Sequence, residues 1–494
     1  MKAYIHSMLV YLLLVAKIGI SAEHTAESLF QAGKYAEVIS LLSSEMEEGA
    51  KSEQAYLYAA SLFHLGFPVL SQWYFSQAKT PDSKRDKNLV YQYIKSIHAD
   101  KKGVFPYGSN FLPILEKAGA RLSKLETLQG MLHFNSGLNF LEKEDTEKAL
   151  HEFRAVRPKN VEYLRANFFL GILENRLGHV NLAKSHFLQV YELSNKYKNS
   201  PIRDQAVLNI ARLEYAGKNF KEALIFYSHI PETSEFWLQA VLESGWAFYF
   251  IDKPGNALGN LRTILSSFYE KRFYPEAYVL QGVTLLKECY FKSASQSAFF
   301  FQKKYKPILN EMRNLEKMRV ENPMHIFHVF ESYITKASIR YEETGNVIDR
   351  IFRDSSVQRE WLSFSLIQSE LHKISMSPIS SSAKISLRTK LLEREKEKKV
   401  SLASFLGKRF RQQLKYLEDM YVQIQLVSAQ AALGNLDVVR SEAKVGSDQK
   451  TGQYVAGLKE VSLTDRLEYW PFEGEYWRDE FGYVYKLTNL CSSK

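Results

Sequence analysis

Residues 133–230 contain three helix-turn-helix patterns in succession: HFNSGLNFLEKEDTEKALHEF (133–153), NFFLGILENRLGHVNLAKSHF (167–187) and NIARLEYAGKNFKEALIFY (209–227). Each is an apolar helix face, a short polar turn and a second apolar face. A small residue stands at the same point of each second helix, at Ala149, Ala183 and Ala223. Ala257 and Ala294 extend the series, with intervals of 34, 40, 34 and 37 residues. A helix pair of this size cannot bury both of its apolar faces alone. The pattern therefore predicts a stack in which neighbouring pairs share one continuous core.

A period of 34 residues is that of the tetratricopeptide repeat, so the fold class expected is all-α: a helical-repeat solenoid, followed by a long helical hairpin and a short aromatic-rich cap. The helix pairs are expected near 129–156, 162–192, 203–230, 236–266 and 274–303, within an array spanning 123–306. The longer intervals reflect loop insertions such as 196–201. Upstream, Gly33 and Gly66 each close one helix before another starts, so 23–122 reads as divergent helices of the same kind. The glycines as a group read as repeat turns. Aromatic residues such as Phe187, Trp237 and Trp246 are expected to fill the interfaces. The concave face of the stack is expected to hold a partner's extended segment or helix.

Residues 307–444 read as a helical extension. One amphipathic helix is expected over 346–374, a polar linker at 375–382, and one long helix over 383–444. Val400, Ala403, Gly407, Phe410, Leu414, Leu417, Tyr421, Ile424, Ser428 and Ala431 recur at steps of three and four, which is a heptad seam. An antiparallel hairpin of 346–374 against part of the long helix is the simpler reading, and a self-associating coiled coil is the alternative. Between 384 and 415 lie eleven basic residues and three glutamates. The bland reading is a solvated face. The functional one is docking to an anionic surface, each basic residue there adding ~1 kcal/mol.

The last segment, 445–494, differs in composition. Eight of the seventeen residues from Tyr469 to Tyr485 are aromatic. Tyr483, Tyr485 and Leu487 alternate as in a strand, which suggests a small hairpin. The segment reads first as a packing cap. Its candidate binding residues are Tyr469, Trp470, Phe472, Tyr476, Trp477 and Arg478, an aromatic surface suited to a partner peptide or a sugar. At the other end, 1–22 reads as an export signal: Lys2, the apolar run 8–16, and Ala22 before the expected cut. Such a run is too short to span ~30 Å of hydrocarbon. The expected location is therefore the periplasm or cell envelope. The two cysteines, Cys289 and Cys491, are expected as free thiols rather than a bridge, with Cys289 buried at a small-residue position.

The sequence contains no nucleophile elbow, phosphate-binding loop, dinucleotide fingerprint or zincin motif. The reading is thus non-enzymatic, with no catalytic residue, no cofactor and no metal. His325, His328 and Glu331 come nearest to a ligand set, and fall short of the four that a structural zinc site takes. The net charge of +10 fits anionic partners without fixing one. No nucleic-acid recognition module is present. A rival view makes the tail carboxylates Glu473, Glu475, Asp479 and Glu480 an acid/base site.

Three stretches, Glu243-Ser244-Gly245-Trp246-Ala247-Phe248, Ala257-Leu258-Gly259-Asn260-Leu261 and Phe273-Tyr274-Pro275-Glu276-Ala277, together with the ending from Tyr469 to Tyr483, resemble tetratricopeptide proteins exported by gliding and predatory deltaproteobacteria. The resemblance covers about 125–310 and 400–491. It implies a scaffold that joins other envelope proteins, in adventurous gliding motility. The alternative function is a cell-wall module in which the aromatic tail binds peptidoglycan.

Overall fold

The computed structural model describes residues 26–47, 54–81, 83–99, 113–114, 126–195, 201–336, 343–444, 467–469, 483–485 and 491. The repeat begins with the turn that joins its two helices. At Gly33, Gly66, Glu144, Gly178, Lys218, Asp252 and Cys289 the backbone has φ between 60° and 81°. The next residue donates its N–H to the carbonyl five positions back: Asp145 to Phe140, His179 to Glu174, Asn219 to Glu214, Lys253 to Phe248 and Tyr290 to Leu285, all at 2.8–2.9 Å. A left-handed residue followed by this bond is the Schellman closure of a helix. From Glu144 to Cys289 the turns recur at the intervals of the anchor alanines, each alanine lying five residues later. All five anchors are 0 % exposed.

Only three of these seven positions are glycine. A side chain held at left-handed φ costs roughly 1–2 kcal/mol, which glycine avoids at the expense of its greater freedom when unfolded. Lys218→Gly is therefore expected to stabilise the chain by about 0.5–1 kcal/mol, read as a higher denaturant midpoint at constant slope.

In chain order the helices are α1 (26–31), α2 (Tyr35–Glu47), α3 (Ala55–His64), α4 (Pro68–Gln77), α5 (Lys84–Ala99), α6 (Glu126–Glu142), α7 (Thr146–Ala155), α8 (Tyr163–Arg176), α9 (Val180–Ser194), α10 (Pro201–Ala216), α11 (Phe220–Ser228), α12 (Trp237–Phe250), α13 (Pro254–Ile264), α14 (Pro275–Lys287), α15 (Phe291–Glu321), α16 (Met324–Ile334), α17 (Gly345–Phe352), α18 (Ser355–Met376) and α19 (Ser381–Lys444). Two three-residue strands, β1 (Leu467–Tyr469) and β2 (Tyr483–Tyr485), pair antiparallel, with Tyr469 opposite Tyr483. The chain is thus an all-α helical-repeat protein carrying one small hairpin. Among the described residues no helix is long and apolar enough to cross a membrane. The export-signal residues lie outside the described residues.

Two compact units share the chain. The first comprises Met1–Leu173 and Ser355–Leu402. Here α18 and the start of α19 form an antiparallel hairpin, with Lys398 Nζ 2.6 Å from Glu360 Oε2. Ile367, Ile374, Ala383, Leu387 and Leu391 of the hairpin join the core formed by α2 to α5. Pro68 opens α4, where a proline's missing N–H would have had no helical partner anyway. The next two N–H groups, of Val69 and Leu70, are donated to the two carboxylate oxygens of Glu370 on α18. Glu370 is buried, so this helix end is capped from 300 residues away in sequence.

The second unit comprises Glu174–Asp354 and Ala403–Lys494. Its stack runs through α15, which continues past Pro307 to Glu321, beyond the expected end of the array at 306. A proline inside a helix costs about 3 kcal/mol. The apolar face of Ile308, Leu309, Met312 and Leu315, all buried, offsets that cost.

Several glycines do not sit in turns. Gly137, Gly171, Gly245 and Gly282 lie within first helices at the repeat interval. A Cβ on Gly245 would lie 3.1 Å from Leu280 of the following first helix, α14. A Cβ on Gly282 would lie 2.6 Å from Val427 of α19. The far half of α19 thus fills the place that the next repeat's first helix would take, and it ends the stack. Further contacts run antiparallel along α15: Phe301 with Tyr421, Arg313 with Glu418, and Arg319 with Gly407.

This arrangement corrects three expectations. The seam residues Phe410, Leu414, Leu417, Ile424 and Ala431 are buried within the chain, against its own repeats, so they are not a self-associating coiled coil. The first arm of the expected hairpin is two helices, α17 and α18, because the backbone breaks at 353–354. Cys289 is not a free thiol: it occupies the left-handed turn position and is bridged to Cys491.

Candidate protein-binding site

The first helices of the second unit present a ladder of polar and aromatic side chains. Arg212 of α10 grips Glu243 of α12 through both carboxylate oxygens, at 2.9 and 2.6 Å. Tyr227 and Gln239 donate to the same carboxylate at 3.1 and 2.7 Å. One repeat further on, Trp246 Nε1 donates to Glu276 Oε1 at 2.7 Å, and the Tyr416 hydroxyl of α19 donates to Glu276 Oε2 at 3.0 Å. Phe220 and Phe250 stack alongside, 5.0 Å between centroids. Burial, and then the neighbouring Glu276 and Glu243, push the Tyr215 phenol up to about 12. Burial acts likewise on Tyr227 and Tyr416, so these hydroxyls stay protonated donors across physiological pH. Both carboxylates hold donors of their own chain, Glu243 from three side chains and Glu276 from two. The ladder fixes the relative position of successive repeats, and Tyr416 ties α19 into it.

A different face offers unsatisfied surface. Between the second helices α13 and α15 lies a groove of about 880 Å³. Its walls include Leu258, Leu285, Trp237 and Tyr269. Phe268 and Phe300 stand at its rim, 81 % and 52 % exposed. Polar groups are interspersed. Gln281 is held by Ser297 at 2.9 Å, and Gln296 and Ser293 lie close by. Arg262 is exposed in the groove and makes no ion pair among the described residues. A trough of apolar and aromatic side chains, with Arg262 and Glu232 also in its lining, has the composition of a site for a peptide-like segment. Aromatics and arginine dominate the energetics of such contacts.

The groove forms because a second helix turns its outer side to the second helix of the next repeat. Leu258 and Arg262 lie one helical turn apart on α13, and Ser293, Gln296 and Phe300 share one side of α15. The 3₁₀ turn at Ser267–Tyr269 then lifts Phe268 to the rim. Sequence reading passed over this site because apolar residues on a repeat helix are taken as core. The run Phe299-Phe300-Phe301 was the available signal: of its three rings only Phe301 is buried, and the other two face outward.

Tyr469 lies on β1, and Trp470, Phe472, Tyr476, Trp477 and Arg478 are outside the described residues, as are the tail carboxylates. His328 pairs with Glu331 at 3.3 Å, and among the described residues no group of three potential metal ligands assembles. Much of the basic run 384–415 is engaged internally. Lys390, Lys398, Lys399, Arg409 and Arg411 pair with Glu393, Glu360, Glu395, Asp354 and Glu316. Lys390 also sits 4.6 Å from the centre of the Trp73 ring.

No family model matches the chain, and no curated protein matches it. Among solved structures it is similar to the Rap conjugation gene regulator of plasmid pLS20 in complex with the Phr* peptide, at 9 % identity, over 77 % of this chain and 96 % of that one, with a TM-score of 0.28. It is also similar to the TPR domain of P58(IPK), at 14 % identity, over 57 % of this chain and 92 % of that one, with a TM-score of 0.20. At these scores neither likeness carries an argument about this chain. The class is defined by the chain's own recurring turns and anchors: a helical-repeat protein of the tetratricopeptide type.

Proposed function

We propose that the chain is a non-enzymatic, exported scaffold that holds other envelope proteins, and that the α13–α15 groove receives a segment of one of them. The observation that carries this reading is the groove itself, with Phe268 and Phe300 exposed at its rim and an exposed Arg262 that makes no ion pair among the described residues. Solvent-exposed phenylalanines beside a trough are unfavourable in an isolated protein and favourable once covered. The expected partner segment presents an apolar side chain to the trough and a carboxylate to Arg262. On the first helices the carboxylates of the ladder already hold donors of their own chain, which makes that face a weaker choice. The Cys289–Cys491 bridge supports export, because such bridges persist in oxidising compartments. Within this reading the assembly served is an envelope machine of the kind the gliding-motility resemblance implies.

The test is affinity capture from the envelope fraction with the full chain and two variants, Phe268→Ser/Phe300→Ser and Arg262→Glu. Both alter exposed side chains, so folding is expected to be unchanged. Recovery of at least one partner is expected to fall tenfold or more with each variant. An unchanged partner set would contradict the assignment of the groove.

A further inference from the structure

The ladder on the first helices borders a pocket of its own, about 400 Å³ in volume. Three rings line it, Tyr215 of α10 with Trp246 and Phe250 of α12. The indole of Trp246 is fixed by its bond to Glu276 and lies 6.3 Å from the Phe250 ring, at 28° to it. Tyr215 meets the same Phe250 ring at 6.1 Å and 68°. Phe250 is 51 % exposed although it belongs to this aromatic group. Glu243 and Glu276 supply the charge of the pocket, and they differ. Glu243 is neutralised by the two-point contact of Arg212. Glu276 accepts only from Trp246 and Tyr416, both neutral donors, and makes no ion pair with a lysine or arginine among the described residues. Arg350 lies over the Tyr416 ring, 5.2 Å from its centre, and not against Glu276 itself. Burial, and then Glu276 and Glu243, push the Tyr215 phenol up, so the potential at this wall is negative even with Arg212 present. Ring faces beside a carboxylate that lacks a cation of its own attract positive charge.

We propose that this pocket binds a quaternary ammonium group. The choice among cations follows from the hydrogen bonds already made. A primary ammonium, such as that of a lysine, carries three N–H donors that need acceptors when it leaves water, and a guanidinium carries five. Few acceptors remain here. Glu243 already serves Arg212, Tyr227 and Gln239, and each oxygen of Glu276 already accepts one hydrogen bond. A quaternary ammonium has no N–H to satisfy. It spreads its charge over alkyl groups, which pack on the faces of Trp246, Tyr215 and Phe250 while Glu276 supplies the opposite charge. The hydrogen bonds that make this face a weaker choice for a peptide segment thus leave it suited to a ligand that brings charge without donors. The site shares no lining residue with the α13–α15 groove.

The test titrates choline into the full chain by calorimetry, with tetramethylammonium in parallel. Saturable binding of one molecule per chain is expected for both. Dimethylbutanol, the uncharged carbon analogue of choline, and ethanolamine, its primary-amine counterpart, are each expected to bind at least tenfold more weakly. Phe250→Leu keeps an apolar side chain at an exposed position and removes its ring. Glu276→Gln removes the charge. Each is expected to weaken choline binding tenfold or more with an unchanged circular dichroism spectrum. Arg262→Glu, in the groove, is expected to leave choline binding unchanged, so the two sites stand or fall separately. Phosphatidylcholine vesicles that displace choline would support the site and make its source a lipid headgroup; vesicles without effect would support it with a free solute as source. Absence of saturable choline binding overturns the proposal. So does dimethylbutanol or ethanolamine bound as tightly as choline, or a Phe250→Leu chain that binds choline as the wild type does.

Discussion

Replacing Gly282 by leucine is expected to destabilise the second unit by about 3 kcal/mol, the upper end of what overpacking costs, and to free the far half of α19 from the stack. Even a Cβ at this position would sit 2.6 Å from Val427 Cγ1, and valine's branched side chain has little freedom to retreat. A leucine adds three further carbons to a contact that already has no room. The loss should appear as faster amide exchange along 403–436 before global unfolding, and as a lower thermal midpoint. Gly282→Ala combined with Val427→Ala should cost less than the sum of the two single changes, because the two residues share one space. Strict additivity would show that α19 does not dock on Gly282.

The second large effect concerns Glu370. Burial pushes its carboxyl up to about 7, against the pull of the Val69 and Leu70 N–H groups and of Lys373 and Arg394. An unfolded glutamate titrates near 4.3, so the folded first unit holds its proton more tightly than the unfolded chain does. The stability linked to this group is fully present below the unfolded value and is lost as pH rises through about 7. A shift of this size corresponds to about 3 kcal/mol between pH 4 and pH 8. Glu370→Gln cannot titrate and is expected to flatten that dependence while keeping one acceptor for α4. Glu370→Ala removes both acceptors and the titrating group together, so it should cost about 2–4 kcal/mol at pH 4, where the wild-type carboxyl is protonated, and less at pH 8. Denaturation midpoints across pH 4–8, with amide exchange at residues 69–71, measure both. A wild-type profile parallel to that of Glu370→Gln would remove Glu370 as the source.

The repeat was legible because local spacing carries it. Ala149, Ala183, Ala223, Ala257 and Ala294 mark one buried position per repeat, and the structure keeps all five in contact with no solvent. The turns were only partly legible. A left-handed residue is expected to be glycine, yet Glu144, Lys218, Asp252 and Cys289 adopt it because the helix closure on each side demands it. Reading Cys289 as a buried small residue placed it in the wrong part of the repeat, and hid its bridge to Cys491.

Long-range pairing was the least legible. The seam of α19 was visible as a period, but a period does not say which surface it meets. Part of the expected hairpin is present, as α18 against the start of α19. Beyond residue 402 the same helix turns to α14 and α15, whose receiving glycine, Gly282, has no local signature of its role. The groove at Arg262, Phe268 and Phe300 was passed over for a related reason. Its residues lie on two helices and a turn, and each alone resembles ordinary repeat core or surface.

The central claim is that this repeat stack binds protein through the α13–α15 groove. The most direct measurement is photocrosslinking in intact cells, with a photoreactive amino acid at position 296 in the groove and, as a control, at the exposed position 221 on α11. The account predicts a discrete protein adduct from 296 that is absent from 221 and abolished by Arg262→Glu. No adduct from 296, or the same adducts from both positions, would contradict it.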